Sequence, residues 1–416
     1  MSSIVFINRY FYPDHSATSQ LLSDLVFHLA DCGQNVKVIT SRQLYEDTHS
    51  DLPGIEKIGA VSVTRIWATH FGRGNLFGRA LDYLSFYISA FFVLFRMINK
   101  DDYVVAKTDP PMISVIASFI TRLKSAKLIN WTQDLFPEVG TELGVKILEY
   151  AKPVLLNLRN SALKNAWMNV VIGETMKDKL VASGVDNSKI MIIPNWSNGE
   201  MVYPVPASEN PLRKEWGLMD KFVIGYSGNM GRAHEFETIL GIAESFKNDQ
   251  EFLFLFIGGG AKKQWIENEA QNRGLKNIVF KPYQNRDILH LSLSLPDIHF
   301  ISLLPNLEGL IVPSKYFGVA AAGRPCLFIG DSGGEISKIL KHSNCGYTIC
   351  PGDVKKGEDF IRSLKSNNKI YTDMCNSARN MYCEIYDVRI ALKHWTKLFA
   401  EAGLLSIEKN VHENCE

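Results

Sequence analysis

Along this chain, apolar runs of strand length alternate with amphipathic stretches of helical period almost without interruption. That rhythm predicts βα units building a mostly parallel sheet. The first half opens with SIVFINR over 2–8, followed by a stretch in which Leu21, Leu25 and Leu29 share one helical face and Gly33 supplies the stop. NVKVITS over 35–41 reads as the second strand, and further strands are predicted over 61–68, 102–108, 126–134, 167–173 and 189–195. Segment 194–211 breaks the pattern with Pro194, Pro204, Pro206 and Pro211 among Asn and Ser, and reads as a linker. Strand-like runs then return over 222–227, 251–258, 277–283, 297–304, 326–330 and 346–349. Region 378–405 reads as one helix with Trp395, Leu398 and Phe399 on its apolar face, and 407–416 as a polar, frayed tail.

Length turns this pattern into an organisation. A chain of 416 residues exceeds one ordinary core, so two domains of roughly 200 residues are expected. The proline-rich break divides the chain into 1–200, 201–385 and a last helix with its tail over 386–416. Apolar content of 46% and charged content of 21% describe a globular protein, and a net charge of +1 gives no global field to recruit nucleic acid. The seven cysteines are odd in number, scattered, and form no C-x-x-C pair, which argues against a disulfide framework or a zinc site and for a reducing compartment. The N-terminus shows no basic region and no small-residue cleavage site, so no signal peptide is read and a cytoplasmic location is expected.

One segment changes that picture. Residues 83–97 (YLSFYISAFFVLFRM) are apolar nearly all round but shorter than the ~20 residues that a bilayer crossing needs. Arg73, Arg79, Arg96 and Lys100 flank them. The run is either a buried helix of the first domain or a helix resting in a membrane surface with its basic flanks on anionic lipid.

Ligands of parallel α/β sheets bind beyond the carboxyl ends of the strands, so the strand-to-helix loops hold the candidate chemistry. After FVIGYS comes Gly228-Asn229-Met230-Gly231-Arg232-Ala233-His234, where glycines permit a phosphate's close approach and Arg232 adds a charge-assisted donor. Gly258-Gly259-Gly260 ends the next strand, as a plain turn or as a wall of the nucleotide site. The loop Pro305 to Lys315 carries Glu308, able to accept from sugar hydroxyls, and Lys315, able to neutralise phosphate, between two glycine-rich corners. Glu335, after Gly333-Gly334, is a first-turn partner of the helix dipole or a ligand contact. In the first half the corresponding loops hold His15, and Gln133, Asp134 and Glu138 around a proline turn. The second group suits binding a polyhydroxyl acceptor or positioning a leaving oxygen, although a capping Asp and a surface Glu account for the same residues, and His15 by itself reads as a surface or capping residue. There is no G-x-x-x-x-G-K-[ST], G-x-S-x-G, H-E-x-x-H, or G-x-G-x-x-G after the first strand, which disfavours P-loop NTPases, serine hydrolases, zincins and dinucleotide oxidoreductases.

YSGNMGRAHEFETIL, FIGGGA and the stretch from Glu308 through PSKYFGVAAAGRP together resemble the donor domain of glycosyltransferase family 4, with the GT-B fold. The first half agrees: YFYPDHSATSQLLSDLVFHLADCGQNVKVIT, NWTQDLFPE and IIPNW resemble the family's opening unit, acceptor-side loop and interdomain strand. The similarity runs in order along the whole chain, closest in flavour to the bacterial O-antigen and capsule branch with its N-acetylfucosamine transferases. It implies two Rossmann-like domains facing across a cleft, with the acceptor on 1–200 and the donor on 201–385. The last helix, around Trp395, would cross back onto the first domain.

The resemblance also implies a retaining, metal-independent transfer without a cofactor. The substrates would be a nucleotide-sugar donor, UDP-linked on branch similarity, and a lipid-linked or saccharide acceptor of surface polysaccharide synthesis. Glu308, with Gly309 and Leu310, would hold the donor sugar, and Arg232 and Lys315 the diphosphate, with His234 near the family's lysine position. The family's second, ribose-binding Glu falls on Gly318 or Tyr316, neither acidic, and the catalytic-side His of many relatives is replaced by Gln133–Asp134. Gly228, Asn229, Gly231, Gly259 and Glu335 complete the expected donor wall, and His15, Gln133 and Glu138 the acceptor side. A nucleotide-sugar 2-epimerase on the same fold and a catalytically inactive sugar-nucleotide-binding subunit are the alternatives.

Overall fold

The computed structural model describes residues 2–72 and 76–404, so Arg73 and the predicted tail 407–416 lie outside the described residues. Two sheets organise the chain. The first contains β1 (Ile4–Ile7), β2 (Val36–Ser41), β3 (Ile55–Ile58), β4 (Val61–Ile66), β5 (Tyr103–Lys107), β6 (Lys127–Thr132), β7 (Met168–Val171) and β8 (Ile190–Ile192), in the order β3-β4-β2-β1-β5-β6-β7-β8. All neighbours are parallel except β3, which runs antiparallel to β4. The second contains β9 (Phe222–Asn229), β10 (Phe252–Gly259), β11 (Ile278–Lys281), β12 (Ile298–Ser302), β13 (Cys326–Ile329) and β14 (Gly346–Ile349), in the order β11-β10-β9-β12-β13-β14, all parallel. Strands such as β1, β5, β12 and β13 are buried at every position, because helices cover both faces of a doubly wound sheet. In each sheet the winding reverses beside the first strand, which leaves a crevice at the strand ends between β1 and β5 and between β9 and β12.

Four features depart from the pattern-based reading. Strand β3 was not legible: IEKI has no apolar period, its Ile55 is exposed, and it is held at the sheet edge by pairing with β4 and by the ion pair between Glu56 and Arg65. The single helix expected over 378–405 is two, Asn368–Met381 and Val388–Glu401, separated by a wide turn over Tyr382–Tyr386. Asp387 makes the break. Its buried carboxylate accepts from the Tyr382 hydroxyl (3.0 Å) and from the Arg389 backbone N–H (3.0 Å), capping the second helix. That helix lies on the first domain, where Trp395, Leu398 and Phe399 join Leu21, Leu25, Leu29 and Trp131 in one core.

The third departure concerns the apolar segment 83–97. Its helix spans Leu76–Met97, so the stretch Phe77–Met97 is, by length and composition, long and apolar enough to cross a membrane, with mean hydropathy 1.4. Phe86, Ala90 and Leu94 form a stripe buried against the sheet, while Leu84, Ile88, Phe92 and Phe95 are exposed. The segment 194–211, read as a linker, is likewise packed: Trp196 is buried and donates to Asp24 (2.9 Å), and Ser197 pairs with Asp387.

Candidate active site

The second sheet's crevice opens into a cavity of about 270 Å³. Gly228 at the end of β9, Tyr283 and Gln284 beyond β11, and Lys315 and Gly318 of the helix Lys315–Ala321 line it, and Trp196 and Ser197 reach it from the interdomain segment. Strands β9 and β10 continue in register to Asn229 and Gly259, two residues past the predicted strand end of β9. There the Met230 N–H donates to the Gly259 carbonyl (2.6 Å), which ties the two glycine loops together.

Lys315 is fixed from three sides. Its side chain lies along Gly228, where a Cβ would come within 2.8 Å of Cε; Gly228 has φ +125° and cannot be replaced without strain. The ammonium Nζ stands 3.0 Å from His234 Nε2 and 5.4 Å from the centroid of the Tyr226 ring. Burial lowers the lysine's pKa to about 8. His234 is pushed down to about 3, by burial first and by the Lys315 charge second, so its imidazole is neutral. Arg232, in the same loop as Gly231, is exposed and forms no hydrogen bond or ion pair among the described residues.

Glu308 and Glu335 meet at a helix terminus. Glu308 Oε1 accepts from the backbone N–H of Glu335 (2.8 Å) and of Gly309 (3.3 Å), so it caps the helix Glu335–Ser343. Burial raises the Glu308 pKa, and the two backbone donors partly oppose the rise. Glu335 in turn reaches across the cleft: its Oε2 accepts from the Thr175 N–H (2.9 Å) and hydroxyl (3.0 Å), at the start of the helix Glu174–Ala182 in the first domain. Gly173 leaves room for it, since a Cβ there would lie 2.4 Å from Glu335 Cδ. Beside this clasp the Leu310 carbonyl accepts from the Leu135 N–H (2.9 Å). Thus the Glu308–Leu310 turn is docked on the first domain. Removing the clasp with Glu335→Ala is expected to cost about 1 kcal/mol, the usual size of a helix cap, and to widen the interdomain angle. Urea unfolding and small-angle scattering check this, and an unchanged radius of gyration would speak against the clasp.

On the facing domain, Asp134 lies exposed just past the end of β6, with no hydrogen bond or ion pair among the described residues. Desolvation by the surrounding protein, with the Asp109 charge second and Lys107 opposing, raises its pKa to about 6. Gln133 is buried, with its carbonyl accepting from Asn195 Nδ2 (2.8 Å). Glu138 accepts from Arg159 Nη2 (2.6 Å), an ion pair between helices. His15 is exposed on the loop after β1, and no hydrogen bond or ion pair joins it to Asp134 or Lys315.

Two groups escaped the sequence reading. Lys107, fully buried at the end of β5, sits 3.6 Å from the centroid of the Trp131 ring and donates to the Thr18 carbonyl (2.9 Å); a charge closing an otherwise apolar strand was its available signal. Tyr283 and Gln284 follow β11 without the glycines that marked the other loops, so nothing local singled them out.

Two doubly wound domains facing across a cleft, with the last helix returned to the first domain, define the GT-B class. Residues 208–381 match the model of glycosyl transferases group 1, and the chain carries a glycosyltransferase domain of that family there. Among similar proteins is WcaI of Escherichia coli (strain K12), named as a glycosyl transferase of colanic acid biosynthesis. It is 25% identical over 351 residues, which cover 81% of this chain and 85% of WcaI. WbjE of Pseudomonas aeruginosa, also named as a glycosyltransferase, is 29% identical over 263 residues, 61% of this chain and 64% of WbjE. Among solved structures, Anabaena HepE in complex with UDP-glucose superposes with a TM-score of 0.70 at 12% identity, over 96% of this chain and 100% of that one.

Proposed function

We propose that this protein is a retaining glycosyltransferase that takes a sugar from a nucleoside-diphosphate donor, UDP-linked, and passes it to a lipid-linked saccharide in surface polysaccharide synthesis at the cytoplasmic membrane face. The observation that carries the reading is the cationic wall at the β9 crevice, where Lys315 is pinned along Gly228 and against His234, with the exposed Arg232 following in the loop after β9. A wall of this kind suits a leaving diphosphate, whose charge grows as the glycosidic bond breaks and is met by donors already in place. Asp134 faces the cleft from the acceptor side, and Glu308 with the Gly309–Leu310 backbone holds the donor sugar. The leaving phosphate takes the proton of the attacking hydroxyl on the same face. Support comes from WcaI, named for colanic acid biosynthesis, and from HepE, whose same fold holds UDP-glucose.

A thermal-shift screen of nucleoside diphosphates and their sugars tests the donor. A native-state ligand at a hundred times its Kd adds about 2.7 kcal/mol of stability. Uridine compounds should raise Tm more than guanosine compounds, and donor turnover should require an acceptor. Turnover to an epimer without acceptor would favour the epimerase instead.

The membrane contact is assigned to the helix Leu76–Met97, whose exposed Ile88, Phe92 and Phe95 form an apolar face flanked by the exposed Arg79, Arg96 and Lys100. Replacing Ile88 and Phe92 together by Asp is expected to abolish co-sedimentation with anionic vesicles while leaving Tm within a few degrees. Undiminished vesicle binding by the double variant would refute the contact.

A further inference from the structure

His234 is 8% exposed, and both of its ring nitrogens are engaged. Nδ1 faces the Ser302 carbonyl at 2.5 Å. A carbonyl can only accept, so Nδ1 carries the proton and Nε2 is left with a lone pair. That lone pair points at the Lys315 ammonium, 3.0 Å away. A lysine is otherwise a flexible point charge, and a buried ammonium without an acceptor gives up its proton.

We propose that His234 is a positioning residue for Lys315: its Nε2 holds the ammonium protonated and fixed along Gly228, leaving the remaining N–H donors for an anionic ligand in the adjoining cavity. That the ligand is a nucleoside diphosphate rests on the reading above; the histidine–lysine coupling does not. The backbone of β12 sets the imidazole tautomer, and the tautomer orients the cation.

The neighbouring charged groups favour this arrangement. Lys262 donates to the His234 carbonyl (2.9 Å) and, behind burial and Lys315, helps keep the imidazole neutral. Tyr226 turns its ring face to Lys315, and its hydroxyl, pushed well above the usual range by burial, donates to the Asn229 carbonyl (2.7 Å). Tyr283 lies at the cavity wall with its hydroxyl 3.5 Å from the Gly259 carbonyl, and burial raises its pKa also. In the chain beside His234 stand Arg232, exposed, and Glu235, whose carboxylate accepts from the Thr238 N–H (3.0 Å).

The test measures the Lys315 amine directly. The full-length protein is acylated across a pH series without nucleotide, and the modified fraction at Lys315 is read by mass spectrometry, for wild type, His234→Gln and His234→Phe. Loss of the acceptor in His234→Phe should move the titration down by about one pH unit, a tenfold change, whereas His234→Gln, which keeps an acceptor oxygen, should stay near wild type. The alkaline limb of kcat/KM should move with it, because that profile reports the free enzyme. An unmoved Lys315 titration in a folded His234→Phe protein would overturn the proposal. So would nitrogen NMR of the wild-type ring that places the proton on Nε2, a measurement independent of whether the variants fold. A moved titration together with no protection of the amine by UDP in the wild type would keep the positioning role and sink the nucleotide reading.

Discussion

Lys315→Ala should reduce kcat by two to three orders of magnitude, the largest catalytic effect expected of a single substitution in this protein. Removing one preorganised donor to a developing negative charge typically costs 10²–10³ in rate, about 2.7–4 kcal/mol. Lys315 meets the conditions for the full effect: it is half-buried, its side chain packs along Gly228, and His234 holds its ammonium. Its charge is also sensitive to pH. With a pKa lowered to about 8, the ammonium is present below that pH and is lost as the pH rises through it, so activity should fall on the alkaline side. Asp134, raised to about 6, gives the opposite limb if the carboxylate is the active form, since it is protonated as the pH falls through that value. The profile of kcat/KM should therefore be a bell between the two, and Lys315→Ala should flatten its alkaline side. Arg232→Ala should act in the same direction but less strongly, because an exposed guanidinium works against water. Steady-state kinetics over a pH series settle both points. A Lys315→Ala protein with kcat within about threefold of wild type would remove the diphosphate from this wall.

These candidate residues were legible to different degrees, and the difference is one of range. Gly228, Arg232, Glu308 and Lys315 lie in loops that announce themselves locally, by glycine and charge at the ends of apolar strands buried on both faces. What each side chain touches is long-range. Glu335 stands beside glycines and a helix start, yet its carboxylate finds Thr175, 160 positions away. Glu138 sits at a strand-end turn, yet it pairs with Arg159 on the neighbouring helix. The break at Tyr382–Tyr386 was hidden because both tyrosines continue the apolar face, while the partner that fixes Asp387 in place, Ser197, lies in the interdomain segment. Periodicity reports which face of an element is apolar. It cannot report which distant polar group a buried carboxylate will find.

That segment and the last helix also carry the largest expected loss of stability. Trp395→Ala should destabilise the first domain by about 3–5 kcal/mol, the range for deleting a buried large aromatic side chain. Trp395 is fully buried, with its ring edge-on to Trp131 at 4.9 Å and stacked near Phe399 at 6.0 Å. Its indole N–H has no hydrogen-bond partner among the described residues, so the loss is of apolar packing rather than of a polar bond. Trp131 is in turn stacked on Trp196 of the interdomain segment (5.7 Å) and carries the buried Lys107 over its face (3.6 Å). A cavity at Trp395 therefore opens beneath the strand end that presents Gln133 and Asp134. Against a total stability of 5–15 kcal/mol for a typical domain, a loss of this size should lower the midpoint of the first urea transition markedly and reduce kcat before unfolding begins. Trp395→Phe keeps a ring against Trp131 and should cost less. If Trp395→Ala unfolds at the wild-type urea concentration, the last helix is not part of the first domain's core and the crossover is only a surface contact.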